Sequence, residues 1–419
     1  MYNLINFLPA FVFILLLYFN IRKVGRIVSL SNFIIALYTL SMLSYGIYCF
    51  SDSTYFFDFT TLGIVFLSIF ILTRPLVSFE KKITSETTII EVERRKYKVL
   101  VTIVVILGIF SIGFFARNIA NLFNSDFTTI RNDILSGSGF YESSIFSKIA
   151  VLGAYLSPIA LFLYFYTIIV NENKKFAVWL ILSSTSFIFY TLNVAGRDGI
   201  VIWVFTYIAL ICLFYPLLSS EIIAKQKKLI LLIVAIVSPY FILITIGRFG
   251  DSNKLDNNAI FSLFNYLGQQ PYELTDRLNK LIQQNYVGEP RLIYPLFINI
   301  RDVFLGAANS VDITNRFDLR SDSMELDLNT YRFSYYIGDI VTELGIIGLS
   351  IFTAILYFVY RINLKIVDNN INFSRLLISF AWYMIIIVGV FYFYYGQLIG
   401  NVFLLVPFFI HFFLKPKIR

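Results

Sequence analysis

Apolar positions along this chain gather into eleven runs of about 17 to 25 residues, the length needed to span about 30 Å of hydrocarbon. They run from Asn3 to Asn20, Ile27 to Phe50, Thr60 to Phe79, Val99 to Phe115, Ile149 to Val170, Phe176 to Leu192, Ile200 to Leu218, Leu229 to Gly247, Gly338 to Tyr360, Leu376 to Tyr395 and Leu398 to Leu414. Each predicts a transmembrane helix. The first has neither a basic leader nor a small-residue cleavage site, so it is expected to remain as a span and not to leave as a signal peptide. The expected fold class is all-α: a polytopic integral membrane protein of about 11 transmembrane helices forming a single membrane domain over residues 1–419.

Composition agrees with this pattern. Hydrophobic residues make up 58% and charged residues 14%, with a mean hydropathy of +0.75, which excludes a soluble globular enzyme. The two cysteines, Cys49 and Cys212, sit in separate apolar stretches, excluding a disulfide framework and a Cys-based zinc site. His411 is the single histidine and excludes every His-pair metal motif; beside the cytoplasmic end of the last run it reads as a hydrogen-bonded interfacial residue.

A net charge of +8 suggests nucleic acid until its placement is considered. The odd-numbered connections and the C-terminal tail hold 20 basic and 7 acidic residues, the opposite side 13 basic and 19 acidic, and Arg74 stands alone within the third run. By the positive-inside rule the N-terminus is external and the C-terminus cytoplasmic, and no nucleic-acid partner is expected. Two external segments exceed simple turns: 116–148, and a large cap loop over 248–337. The second holds periodic apolar pieces, Ala259 to Leu267, Tyr272 to Ile282 and Leu292 to Leu305, which suit short helices on the outer interface.

The external basic residues comprise 10 Arg and 3 Lys, whereas 13 of the 20 internal ones are Lys. The inner set acts as a topology signal. The outer set favours the planar fork that grips phosphate bidentately, which implies an external phosphate-bearing ligand. Ion pairing with the external acids is the competing use of these arginines. Four lie in sequences that single them out: Arg131 in Thr129 to Asp133, leading to the glycines of Ser136 to Gly139; Arg197 in Gly196-Arg197-Asp198-Gly199; Arg248 in Gly247-Arg248-Phe249-Gly250; and Arg332 in the stretch Asn329 to Glu343. In that last stretch Asp339 and Glu343 are four apart and share a helix face. Asp339 suits the first turn of a helix, where the dipole favours a carboxylate. Glu343 lies one turn deeper, where an unpaired carboxylate costs about 2–3 kcal/mol. Tyr331, Tyr335 and Tyr336 offer faces for sugar stacking, against the alternative of an interfacial aromatic belt.

Topology, the Arg131 stretch, Gly196 to Gly199, Gly247-Arg248, and Asn329-Thr330-Tyr331 running through Gly338-Asp339 to Glu343-Leu344-Gly345-Ile346-Ile347-Gly348 together resemble the Wzy-type O-antigen and capsular oligosaccharide repeat-unit polymerases of bacterial inner membranes. An Arg and a Gly separated by ten residues, associated with some members, is matched by Arg277 and Gly288, a spacing that ten external arginines readily supply by chance.

The resemblance implies transfer of a growing glycan from undecaprenyl diphosphate onto an incoming lipid-linked repeat unit at the outer face, without cofactor or metal. Its partners would be undecaprenyl-diphosphate-linked oligosaccharides, membrane lipids and a chain-length regulator. On this reading Arg131, Arg197, Arg248 and Arg332 meet the diphosphate, Glu343 or Asp339 is the base, and Tyr331, Tyr335 and Asp198 contact glycan.

Three rival classes stand beside it. An O-antigen ligase typically has a histidine in the large external loop, and this sequence has none there. A metal-dependent GT-C glycosyltransferase is expected to have an acidic pair in its first external loop, where Asp52 and Asp58 are six apart. A flippase or other transporter is expected to have two related halves and discontinuous helices.

Overall fold

The computed structural model describes residues 5–51, 58–84, 86–90, 92–122, 145–170, 174–193, 196, 198–249, 259–283, 333–396 and 398–414. In chain order the elements are α1 (Leu8–Val24), α2 (Leu30–Ser51), α3 (Phe59–Glu80), β1 (Thr88–Ile90), α4 (Arg94–Leu122), α5 (Ile145–Tyr155), α6 (Ser157–Ile169), α7 (Lys174–Ser183), α8 (Ser186–Asn193), α9 (Asp198–Phe214), α10 (Ser220–Phe249), α11 (Ala259–Gln283), α12 (Tyr335–Asn363), β2 (Asn370–Asn372), α13 (Phe373–Ile387) and α14 (Leu398–Leu414). Helix occupies at least part of each of the eleven apolar runs. Among the described residues seven helical stretches are long and apolar enough to cross a bilayer, eight if α5 and α6, bent by 45° at their junction, form one span.

Four expectations change in detail. The bend between α5 and α6 falls where Pro158 enters at the start of the second helix, since proline cannot donate to the preceding turn. The ninth run is helical from Tyr335 but breaks at Gly345, whose φ of 70° and ψ of −179° lie in a region essentially reserved for glycine. The tenth run leaves α-helix after Ile387, tightens into a 3₁₀ turn over Val388–Val390, and continues to residue 396 as irregular, buried backbone. Such backbone survives in an apolar setting only when protein encloses it. Finally, the pieces Ala259 to Leu267 and Tyr272 to Ile282 form the single helix α11, which continues through Pro271. The piece Leu292 to Leu305 lies outside the described residues.

The helices group into two compact units. One comprises 1–83, 257–368 and 378–406, so α1, α2, α3, α11, α12 and most of α13 and α14 belong to it. Here α11 packs on α2 and α12, with Gly268 allowing the approach: a Cβ there would lie 2.5 Å from the Ser44 carbonyl carbon and the Tyr45 nitrogen. Many aromatics fill this core and not a surface belt. Tyr360 stacks on Tyr383 at 3.8 Å, and Tyr38 on Tyr335 at 5.4 Å. Their hydroxyls donate to backbone carbonyls of neighbouring helices, Tyr38 to Ile386, Tyr360 to Trp382 and Tyr383 to Leu72, at 2.9–3.1 Å. In an apolar interior this pairing removes the cost of burying a hydroxyl.

One polar knot in the same unit joins helix ends. Glu80, 3% exposed at the end of α3, accepts from the Leu30 and Ser31 amides with Oε1 and from the Ser31 hydroxyl with Oε2. The carboxylate thus meets the positive N-terminal end of α2. Asn20 donates to Ser31 Oγ and Asn32 Oδ1, and Arg26 to the Glu80 carbonyl.

The second unit comprises 84–256, 369–377 and 407–419. β1 pairs in parallel with β2, Ile89 opposite Ile371, and α4 packs on α5, α7 and α8. Gln226 Oε1 accepts from the hydroxyls of both Tyr164 and Tyr207. Ser374 donates to Asn372 Oδ1, so its oxygen, 2.6 Å from His411 Nδ1, accepts the imidazole proton; this agrees with the reading of His411 as a hydrogen-bonded residue.

Candidate functional site

Four enclosed charged groups of the first unit, Glu273, Arg277, Asp339 and Glu343, lie on α11 and the first turns of α12. Along α11, Gln270, Glu273 and Arg277 follow a spacing of three and four, which sets them on one helical stripe. They are 0%, 2% and 2% exposed. Pro271 sits inside this stripe, and the Thr275 hydroxyl donates to its carbonyl at 2.9 Å and to no charged group. Ser41 of α2 donates to Gln270 Oε1 at 3.2 Å and lies 2.9 Å from the Tyr335 hydroxyl, joining α2, α11 and α12 through polar contacts.

α12 opens at Tyr335 with a φ of 60°, a left-handed conformation uncommon for a bulky residue and sustained only by surrounding structure. One turn on, Asp339 Oδ1 accepts from Arg277 Nη1 at 3.3 Å and Oδ2 accepts from the Phe393 amide at 2.7 Å. The side chains of this ion pair are 2% and 6% exposed. Both Asp339 oxygens are therefore occupied, one by a charge and one by the irregular backbone after α13. The next turn carries Glu343, fully enclosed at 0% exposure, two residues before the break at Gly345. Beyond the break the outward residues are mostly apolar, Ile346, Ile347, Ile351 and Ile355 among them, with Ser350 and the final-turn Arg361 the polar exceptions. The carboxylates thus belong to a short buried segment, and the rest of α12 to an apolar exterior.

Of the residues singled out from sequence, this arrangement brings together Asp339, Glu343 and Tyr335. Tyr335 is enclosed, between Tyr38 and Ser41, with no face open to a sugar in this conformation. Asp198 stands half-exposed in the first turn of α9 and belongs to the other unit. Beside it Gly199 has a packing reason: a Cβ there would overlap the Thr191 side chain and lie 2.8 Å from the Phe187 carbonyl. Arg131, Arg197, Tyr331 and Arg332 lie outside the described residues, and Arg248 is described only through its backbone in α10. Among the described residues no group of three His, Cys, Asp or Glu side chains is placed to hold a metal ion.

Arg277 is the charged residue the sequence reading passed over. Its match to a loose Arg-to-Gly spacing carried little weight. The better signal was the polar stripe of Gln270, Glu273 and Arg277 running beside the apolar stripe of Leu274, Leu278 and Leu281, which are buried with it, and Glu343 placed one turn beyond an acidic residue. Glu80 was also missed, because its partners lie fifty residues away in the chain.

These helices define a polytopic helical membrane protein with an ionic cluster enclosed in one of its two units. Comparison with family models, with curated proteins and with solved structures finds no match.

Proposed function

We propose that the chain is a lipid-dependent glycosyltransferase of the bacterial cytoplasmic membrane, with eleven spans, an external N-terminus and an outward-facing site. It polymerises oligosaccharide repeat units of O-antigen or capsule, moving the growing glycan from undecaprenyl diphosphate onto the sugar of an incoming lipid-linked unit. The observation that carries this reading is the enclosed carboxylate of Glu343, one turn beyond an Asp339 whose two oxygens are already engaged. Asp339 holds Arg277 and the Phe393 amide, and Glu343, enclosed one turn deeper on the same helix, is assigned the role of base. It takes the proton of the acceptor hydroxyl as the hydroxyl oxygen bonds to the anomeric carbon; the bond from that carbon to the diphosphate oxygen breaks, and undecaprenyl diphosphate leaves with the electron pair. Arginines stabilise the charge developing on the leaving diphosphate: Arg131, Arg197, Arg248 and Arg332, with no metal required.

Purified protein supplied with a synthetic undecaprenyl-diphosphate-linked repeat unit should yield a ladder of polymers. Glu343→Gln should keep the protein folded and abolish the ladder, because the amide preserves volume but accepts no proton. Full polymerisation by that variant sinks the assignment of the base. Failure of the native protein to join repeat units across a range of lipid-linked substrates sinks the class.

A transporter of lipid-linked oligosaccharides is the second reading, favoured by the break in α12 and the irregular stretch after α13, since discontinuous helices line transport sites. Proteoliposomes separate the two. A transporter moves the labelled lipid-linked unit across the bilayer unchanged, whereas a polymerase lengthens it.

A further inference from the structure

Arg74 takes no part in the site above. It lies in α3 six residues before Glu80, about 9 Å from the end of the helix, inside an apolar span. Its guanidinium rests over the Phe70 ring at 3.7 Å, and it makes no ion pair with any described residue. A cation at this depth is costly unless an anion meets it.

The surroundings make the cost larger. Lys23 is exposed in the last turn of α1, which packs on α3, and Lys81 follows Arg74 by seven residues, two turns on along the same side of α3. Lys81 and Lys82 are exposed directly after α3, and Arg22 sits over Tyr18 at 4.7 Å. The acid nearest in sequence, Glu80, offers nothing to these cations: its carboxylate is enclosed and engaged with Leu30 and Ser31. Arg26 is held at the Glu80 carbonyl. Cations that repel one another are therefore gathered at one end of α1 and α3, and none of them forms an ion pair among the described residues. Leu67 and Ile71, seven and three residues before Arg74, share its face and are 55% and 38% exposed, so an apolar track leads to the guanidinium.

We propose that Arg74, Lys23 and Lys81 bind the phosphate of an anionic phospholipid headgroup, with its acyl chains lying along Leu67 and Ile71. The guanidinium fork takes two phosphate oxygens, and the two ammonium groups add point charges around it. This end of the helices would then select acidic lipids from the leaflet it faces, independently of any chemistry at Glu343.

The test uses full-length protein in nanodiscs of equal phosphatidylglycerol and phosphatidylcholine. After detergent extraction the retained lipids are counted by mass spectrometry. The native protein should retain phosphatidylglycerol in excess. Arg74→Gln and Lys81→Gln should each reduce that excess about fivefold, the factor expected for one lost basic contact with an acidic headgroup. Lys365→Gln, an exposed lysine elsewhere in the same unit, should leave it unchanged. If Arg74→Gln does not yield folded protein, the exposed Lys81 variant carries the same test. Equal loss in the Lys365 variant, or no loss in either site variant, overturns the proposal. Displacement of the retained lipid by millimolar inorganic phosphate overturns the lipid and leaves a free phosphate as the ligand.

Discussion

Removing one partner of the Arg277–Asp339 pair should be far more damaging than removing both. With side chains 2% and 6% exposed, neither charge can turn to water when the other is gone. Arg277→Met leaves Asp339 with the Phe393 amide alone and should cost about 3–5 kcal/mol, less if the carboxyl takes up a proton. Asp339→Asn removes this counter-charge yet keeps an oxygen for the Phe393 amide, so its cost, of the same order, falls on an Arg277 guanidinium that has lost the carboxylate 3.3 Å away. The double variant carries neither charge, keeps the backbone acceptor and fills a similar volume. Replacing a whole buried pair is often close to neutral, so it should return to within about 1–2 kcal/mol of the native protein. Purified protein in detergent micelles, unfolded by titration with a denaturing detergent, gives the four midpoints of this cycle. A double variant as unstable as the sum of its parents would refute the pairing as the unit that holds α11 to α12.

Gly345→Ala places a Cβ on backbone at a φ of 70° and ψ of −179° and should lower stability by about 1–3 kcal/mol, read as a fall in thermal midpoint; an unchanged midpoint counts against the break in α12. At Asp58, burial pushes the carboxyl up, but bonds from Thr61 and Thr60 outweigh it and hold it below its usual value. A group depressed in the folded state stabilises above its unfolded pKa and loses that contribution as pH falls through the folded one. Asp58→Ala should therefore cost about 0.5–2 kcal/mol at neutral pH, with the gap to the native protein closing in strong acid; a gap independent of pH argues against a capping role. Arg197→Lys, which keeps the charge but loses the fork, should lose most polymerisation, and chelation by EDTA should leave the native activity intact; the reverse pattern favours a metal-dependent enzyme. In a background lacking Cys49 and Cys212, cysteines at Ser252 and Ser321 should react with an impermeant thiol reagent and one at Ser85 should not; reversed labelling inverts the topology.

The apolar runs were legible because a bilayer demands length before anything else, and helix occupies at least part of each of them. Their interruptions were not. Gly345 follows Glu343 by two residues and Gly389 follows Ile387 by two, but a glycine in an apolar run does not by itself specify a break. Each break depends on partners from elsewhere in the chain, as the Phe393 amide depends on Asp339. The apolar periodicity of Ala259 to Leu267 and Tyr272 to Ile282 suggests two interfacial pieces because it lapses over residues 268–271; packing against α2 accompanies a single helix that continues through Pro271. Of the candidate site, the pairing of Asp339 and Glu343 on one face followed from their spacing. Arg277 did not, since a lone arginine in a polar stretch carries no sign of the partner it will meet 62 residues later.

The carboxylate of Glu80 at the N-terminus of α2 also constrains how the protein is made. The Leu30 and Ser31 amides emerge from the ribosome about fifty residues before the group that satisfies them. A nascent chain that has delivered only α1 and α2 has the Asn32 amide capped by Ser29 but still lacks the carboxylate for the Leu30 and Ser31 amides, which α3 supplies when its last residue arrives. The first three helices should therefore mature together. A gene split between α2 and α3 should yield fragments that mature only on reassembly, whereas a split after residue 83 leaves that unit whole.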